Sequence, residues 1–254
     1  MYYLPLVSLL LIFPHLLMAE APQSPWQQAE KIAQETDVAK ACEFLASLPD
    51  ALAATSEFQT LVQRNYRAKN IPGMIQYGQA GIQFALQSAA RLPEQDAPAA
   101  RELRGRAKAI AYNLSANLWP GWKEPGIHLN ATDLALGLQF AKTNLRLAIE
   151  LDKQGEPLGH AYWLMGAHAL AANDSLAAVT AFRTAAKHYA GDYALMSAGY
   201  AALAARLSKD EAEVTAGTEQ FTETLTLLRK STGKDGKFFA AQLETAAEVF
   251  LPRK

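Results

Sequence analysis

The sequence predicts an all-α fold in which antiparallel helix pairs stack into an α-α superhelix. Beyond residue 22, apolar residues recur at steps of three and four residues, which is the period of one face of a helix. The breaks between these segments are short and are either polar or contain proline, and short connections between helices imply antiparallel neighbours. No segment shows the alternation typical of a β-strand, and good helix formers dominate the composition.

The predicted helices begin and end at recognisable local signals. Ser24 is suited to cap the first helix, Pro25 fits its first turn, and Gln27 can close a capping box. One apolar stripe consists of Leu103, Ala107, Ile110, Leu114 and Leu118. We expect further breaks at residues 48–50, 69–72, 93, 155–157, 173–174, 191–192, 208–210 and 231–236.

Residues 1–21 are expected to form a secretory signal peptide. The segment 4–18 is almost wholly apolar, but it is shorter than the roughly 20 residues that cross a bilayer, and Pro5 and Pro14 interrupt it. We expect cleavage near Ala19, which would leave a periplasmic or secreted domain of residues 22–254 with no membrane span. Residues 1–3 carry no Lys or Arg, so an uncleaved anchor is the alternative.

Charge and cysteine content exclude two classes of protein. The chain has 24 Lys and Arg against 25 Asp and Glu, a formal net charge of -1, whereas nucleic-acid binders usually carry a basic excess. We therefore expect no nucleic-acid partner. Cys42 is the single cysteine, so no intrachain disulfide can form. Cys42 lies on the apolar stripe of a helix, where we expect a small core residue.

The segment 160–190 has the pattern of a helix pair with a small residue at the crossing. A large residue and a Met precede a glycine, a polar turn follows, and the second helix carries an Ala, aromatic, Ala series. These residues are Tyr162, Met165, Gly166, Ala169, Asn173, Asp174, Ala178, Phe182 and Ala185. The segment resembles a tetratricopeptide repeat (TPR) residue by residue. The small residues allow close approach within a pair, and Tyr162 and Phe182 fill the space between pairs.

Weaker copies of the pattern flank this repeat. One starts at Leu195, about one period later, and an interrupted copy covers residues 106–152, with a loop inserted between its two helices. A marginal copy covers residues 58–81. The resemblance implies a TPR-like solenoid of about three to four repeats, because repeat pairs need neighbours to bury both faces. The helices of residues 26–45 and 238–250 would then cap its two ends.

The inserted loop, residues 119–128, is the first candidate binding site. Loops are normally small and polar, yet this one contains Trp119, Trp122, Lys123 and His128. Exposed aromatic residues on such a loop would anchor a ligand or partner. The alternative is that both tryptophans tuck under the loop and plug the end of a helix pair.

The face lined by the first helices of the repeats is the second candidate site. The TPR resemblance places Tyr112, Trp163 and Tyr200 there, with His160 and Arg67 nearby. An aromatic groove of this kind suits an extended peptide or a small hydrophobic ligand. Alternatively, Trp163 packs between repeats.

No motif indicates catalysis, so we expect neither a catalytic residue, a metal site nor a cofactor. The chain lacks an HExxH pattern, a Gly-x-Ser-x-Gly elbow, a dinucleotide fingerprint and a phosphate loop. The resulting hypothesis is an exported TPR-like interaction module that binds a protein or peptide partner in the cell envelope. The alternative is a helical carrier or accessory protein for a small hydrophobic ligand, of the kind that serves periplasmic solute uptake. An enzyme is the third hypothesis.

Overall fold

The computed structural model describes residues 23–251, so the predicted signal peptide lies outside the described residues. Within this range the chain forms eleven α-helices and no strand, as the sequence predicts. The helices are α1 (Pro25–Glu35), α2 (Val38–Ala46), α3 (Ala51–Arg67), α4 (Ile71–Arg91), α5 (Ala97–Asn117), α6 (Ala131–Glu150), α7 (Glu156–Ala171), α8 (Ser175–Ala186), α9 (Gly191–Ala205), α10 (Glu211–Lys230) and α11 (Gly236–Phe250).

The helices pack in consecutive pairs along the chain, and each helix contacts the next one. In addition, α3, α5, α7, α9 and α11 contact one another in succession, so that they form a continuous row. We call this row the odd-helix layer. It brings together side chains from distant parts of the sequence, among them Tyr112, Trp163 and Tyr200 of the predicted site.

Local signals account for where the helices begin. The side-chain oxygen of Gln27 accepts hydrogen bonds from the backbone N–H of Ser24 (2.8 Å) and from its hydroxyl (2.9 Å). The Asp210 carboxylate accepts from the backbone N–H of Ala212 (2.8 Å) at the start of α10. Every predicted break lies at or directly beside a boundary between helices; the one predicted at residues 191–192 falls in the first turn of α9, and the connection itself is residues 187–190. One further break, at Thr36 and Asp37, divides the N-terminal cap into α1 and α2.

The buried core consists of two main parts. The N-terminal part joins α1 to α5 and is built around Phe58, Leu61, Met74 and Leu114. The C-terminal part joins α7 to α11 and is built around Trp119, Trp163, Phe182, Tyr200 and Leu243. Cys42 is half-buried against the N-terminal part, and burial raises the pKa of its thiol to about 11. The thiol therefore stays protonated at neutral pH, which agrees with the expected packing role.

The pair formed by α7 and α8 shows why its residue types are needed. A Cβ placed on Gly166 would lie 2.7 Å from Cδ1 of Phe182, so only a glycine allows this ring to lie against α7. The Phe182 ring is fully buried and stacks on Tyr200 of α9, with ring centroids 5.3 Å apart. Phe182 therefore links the α7–α8 pair to the next helix, as the sequence predicts.

Candidate functional site

The loop between α5 and α6 folds back onto the odd-helix layer. Its first turn, Pro120–Trp122, is a 3-10 helix that contacts α7 and α11. The Trp119 side chain is only 1% exposed, and its indole N–H donates a 2.8 Å hydrogen bond to the carbonyl of Ala167. The indole N–H of Trp122 donates to the carbonyl of Ala116 (2.7 Å), so both tryptophans fix the loop to neighbouring helices.

Trp119 is the centre of an aromatic cluster that unites four parts of the chain. Its ring centroid lies 4.7 Å from Trp122, 5.2 Å from Trp163, 5.7 Å from Tyr200 and 5.9 Å from Phe250. Most of these contacts are edge-to-face, an arrangement that aromatic quadrupoles favour. The loop lies close over this cluster because residue 121 is a glycine, where a Cβ would come within 2.2 Å of the Trp119 ring.

The structure therefore corrects part of the predicted binding site. Trp119, Trp163 and Tyr200 are buried in the core, so in this structure they present almost no surface to a ligand or partner. For Trp119, the structure agrees with the alternative prediction, in which the tryptophans lie buried under the loop. The physical reason is that Phe250 of α11 and the loop together cover the face that was predicted to be an open groove.

The other predicted residues remain at the surface. Lys123 and His128 are exposed, and Trp122 is half-buried. The Lys123 ammonium pairs with a carboxylate oxygen of Glu248 at 2.8 Å, which holds the loop to α11. Arg67 is exposed at the C-terminus of α3.

A cleft of about 460 Å³ opens between the loop and α11. We call it the loop cleft; its walls are Tyr66, Gly121, Trp122, Glu124, Phe238, Ala241, Gln242 and Thr245. Phe238 is 60% exposed, which is unusual for so large an apolar side chain. Burial, and then the negative charge of Glu124, raise the pKa of Tyr66. Tyr66 and Phe238 were not predicted from the sequence, although adjacent phenylalanines at 238 and 239 could have indicated that one of them faces outward.

A second group of aromatic residues lies on α5, α7 and α9 and on the connection between α8 and α9. We call Tyr112, His160, Tyr189 and Tyr193 the tyrosine–histidine cluster. The His160 ring lies 6.0 Å from Tyr112, 5.3 Å from Tyr189 and 5.7 Å from Tyr193, measured between centroids. Tyr189 is buried, and the other three side chains are half-buried. Tyr112 and His160 were predicted to lie on this face, whereas both tyrosines of the α8–α9 region were missed.

Burial controls protonation in this cluster. Burial lowers the pKa of His160, with the nearby carboxylate of Glu156 opposing the shift and the charge of Lys108 adding to it. Burial also raises the pKa of the Tyr189 phenol, which therefore stays protonated. The Tyr189 hydroxyl lies 2.6 Å from Nδ1 of His160. When this hydroxyl donates to Nδ1, the imidazole carries its own proton on Nε2 and presents an N–H donor there.

His168 is a core residue rather than a surface histidine. It is 2% exposed, and its Nε2–H donates to the carbonyl of Ser115 at 3.0 Å. Its Nδ1 has no hydrogen-bond partner within residues 23–251, and the ring packs directly against Gly137 of α6. Protonation would place a charge on this buried nitrogen, and burial accordingly lowers the pKa of His168 to about 4.

We expect His168 to make the protein less stable in mild acid. The unfolded histidine takes up a proton near pH 6.5, whereas the folded one stays neutral down to about pH 4. Stability is therefore lost as the pH falls from 6.5 to 4, by about 2 kcal/mol between pH 7.5 and pH 5. Urea unfolding at these two pH values measures the loss. His168→Gln, whose amide can still donate to Ser115, should lose about 2 kcal/mol less over this range; equal losses in both proteins would contradict the assignment.

Across residues 23–251, no group of three or more His, Cys, Asp or Glu side chains is arranged to hold a metal ion. None of the helices in the same range combines the length and the apolar character needed to cross a membrane. Comparison with known proteins gives no match: no family model, no curated protein and no solved structure is significantly similar to this chain.

Proposed function

We propose that this protein is an exported interaction module, built as a TPR-like array, which binds a peptide segment of a partner in the cell envelope. The paired helices and the Gly166–Phe182 contact support the TPR-like part of the proposal. The apolar segment 4–18 supports export. The loop cleft is the observation that supports peptide binding, and it contains Trp122 of the site predicted from the sequence.

The chemistry of the loop cleft suits a peptide with an apolar side chain next to a basic one. Trp122 and Phe238 form aromatic walls against which an apolar anchor can be buried, and aromatic residues are common energetic centres of interfaces. Gln242 and Thr245 supply polar groups that can bind a peptide backbone. The Glu124 carboxylate has no ion-pair partner among the described residues, so it can attract a Lys or Arg of the peptide.

Selection from a displayed random-peptide library tests this proposal while the partner is still unidentified. We expect the selected peptides to combine an apolar or aromatic residue with a basic one. Phe238→Ala should weaken their binding by about tenfold or more, because it removes an exposed aromatic wall. Glu124→Gln should weaken binding less than Phe238→Ala does. The effect of Glu124→Gln should be larger at low salt, where charges are screened less.

Leu176→Ala is the matched control. Leu176 is 75% exposed on α8, and like Phe238 it is a large apolar residue at the surface. Phe238→Ala and Leu176→Ala should both keep the thermal unfolding midpoint of the unmodified protein. A loss of binding in Phe238→Ala can then be assigned to the loop cleft. The proposal fails if the selected peptides bind the Phe238→Ala protein as tightly as the unmodified one, or if Leu176→Ala weakens them equally.

A further inference from the structure

A groove of about 370 Å³ lies between α8 and α10. Both helices pack against α9, and the groove exists because the residues of α9 and α10 along it are small. A Cβ placed on Gly217 of α10 would lie 2.9 Å from the carbonyl oxygen of Ala202, so α10 lies close against α9. The volume falls within the range of about 300–1,000 Å³ that is usual for small-molecule sites. We call it the α8–α10 groove; its lining includes Leu176, Val179, Arg183, Lys187, Ala205 and Ala216.

The α8 side of the groove changes from apolar to cationic along the helix. Leu176 and Val179 lie near the start of α8, and Arg183 and Lys187 lie at its end. Successive members of this series are three or four residues apart, so they share one face of the helix. The helix axis between Leu176 and Lys187 spans about 16 Å. This length is close to that of an extended chain of about twelve carbons, given C–C bonds of about 1.5 Å.

The apolar end of the groove offers hydrocarbon surface. Leu176 is 75% exposed, more than any other large apolar side chain in residues 23–251, and Val179 beside it is half-buried. The hydroxyl of Thr180 donates to the carbonyl of Leu176 at 2.8 Å, and that of Thr184 donates to the carbonyl of Thr180 at 2.8 Å. Neither hydroxyl proton is therefore free for a ligand. An alkyl chain would gain free energy here by removing Leu176 from water.

The cationic end of the groove has no acidic partner. Among the described residues, neither Arg183 nor Lys187 makes a hydrogen bond or an ion pair, and both are exposed, so water solvates them in the free protein. Because they lie four residues apart on one helix, their like charges repel each other. Glu213, the acidic residue in the groove lining, accepts a hydrogen bond from the Ser208 hydroxyl at 2.6 Å. A carboxylate between Arg183 and Lys187 would be attracted by both cations.

We propose that the α8–α10 groove binds a free alkyl carboxylate whose chain has about twelve carbons, matched to the length of α8. The carboxylate binds between the Arg183 guanidinium and the Lys187 ammonium, and the chain lies along α8 and covers Leu176. The groove lies apart from the loop cleft and does not depend on the peptide-binding proposal. Because it prefers a negative charge, Leu176→Ala stays a valid control for the basic peptides expected at the loop cleft.

Calorimetric titration at neutral pH, with each amphiphile kept monomeric, tests the groove. We expect dodecanoate to bind, and acetate, dodecyl maltoside and dodecyltrimethylammonium to bind at least about tenfold more weakly. Acetate lacks the chain, and the other two lack the negative charge. Leu176→Ala should weaken dodecanoate binding by about tenfold. The double variant Arg183→Met/Lys187→Met should weaken it by about 10- to 100-fold, because charged hydrogen bonds are lost.

Leu227→Ala and Lys230→Met are the matched controls, because they remove the same kinds of side chain from α10 outside the groove. Leu227 is 46% exposed and Lys230 is exposed. Both controls should leave dodecanoate binding unchanged. All the variants should keep the thermal unfolding midpoint of the unmodified protein, since none of the replaced side chains is buried. The proposal is overturned if the double variant or Leu176→Ala binds dodecanoate as tightly as the unmodified protein, or if dodecyl maltoside binds as tightly as dodecanoate.

Two further measurements locate the ligand and identify its source. In nuclear magnetic resonance spectra of leucine and valine methyl groups, dodecanoate should shift the signals of Leu176 and Val179, and shifts confined to other residues would contradict the assignment. In co-sedimentation with phosphatidylglycerol vesicles, the protein should stay in the supernatant. Sedimentation that the double variant Arg183→Met/Lys187→Met loses would show that the groove binds a membrane surface, and the proposal of a free carboxylate would be wrong.

Discussion

Replacing Trp119 by alanine is expected to lower the free energy of unfolding by about 3–5 kcal/mol, a loss typical of deleting a large buried aromatic side chain. The side chain is 1% exposed and contacts four other aromatic rings. Its removal leaves a cavity between the loop, α7, α9 and α11, and it also removes the hydrogen bond to Ala167. Urea unfolding, followed by far-ultraviolet circular dichroism, measures the change.

Trp122→Ala is the matched control, because it removes the same side chain from the same loop. Trp122 is half-buried and stacks on Trp163, so we expect a smaller loss of about 1–2 kcal/mol. The loss of unfolding free energy in Trp119→Phe should lie between those of Trp119→Ala and Trp122→Ala. Phenylalanine keeps a ring in the cluster but loses the hydrogen bond to the carbonyl of Ala167. Equal losses for Trp119→Ala and Trp122→Ala would contradict the assignment of Trp119 to the core.

The helices could be predicted because their signals are local. Prolines and capping residues act within one turn, and the apolar period survives in each segment. The break at Thr36 and Asp37 was missed although a signal was present: Asp37 accepts a hydrogen bond from the backbone N–H of Lys40, as an N-cap residue does. The loop predicted at residues 119–128, as an insertion in a repeat, lies between α5 and α6 in the structure.

The orientation of side chains in the loop could not be predicted, because it depends on contacts that are remote in the sequence. Lys123 pairs with Glu248, 125 residues away, and Trp119 contacts Phe250 of the last helix. A sequence pattern contains no information on whether α11 returns to cover the loop.

Replacing Gly166 by leucine is expected to destabilise the protein by about 3 kcal/mol or more, towards the upper end of what overpacking costs. Three atoms of the Phe182 ring lie 2.7–2.9 Å from the position of a Cβ on Gly166. The ring cannot move aside easily, since it is fully buried and stacks on Tyr200. The two helices must therefore separate, and the contact of the α7–α8 pair with α9 is lost as well.

Gly105→Leu is the control that separates this steric effect from a general effect of glycine replacement. Gly105 also lies within a helix, but a Cβ there meets no atom within 4 Å. Leucine is a far better helix former than glycine, so Gly105→Leu should raise the stability by about 0.5–1 kcal/mol. Thermal and urea unfolding of both variants measure the difference. If Gly166→Leu kept the stability of the unmodified protein, close packing of α7 against α8 could not be what holds the pair together, and the TPR-like interpretation of residues 160–190 would lose its physical basis.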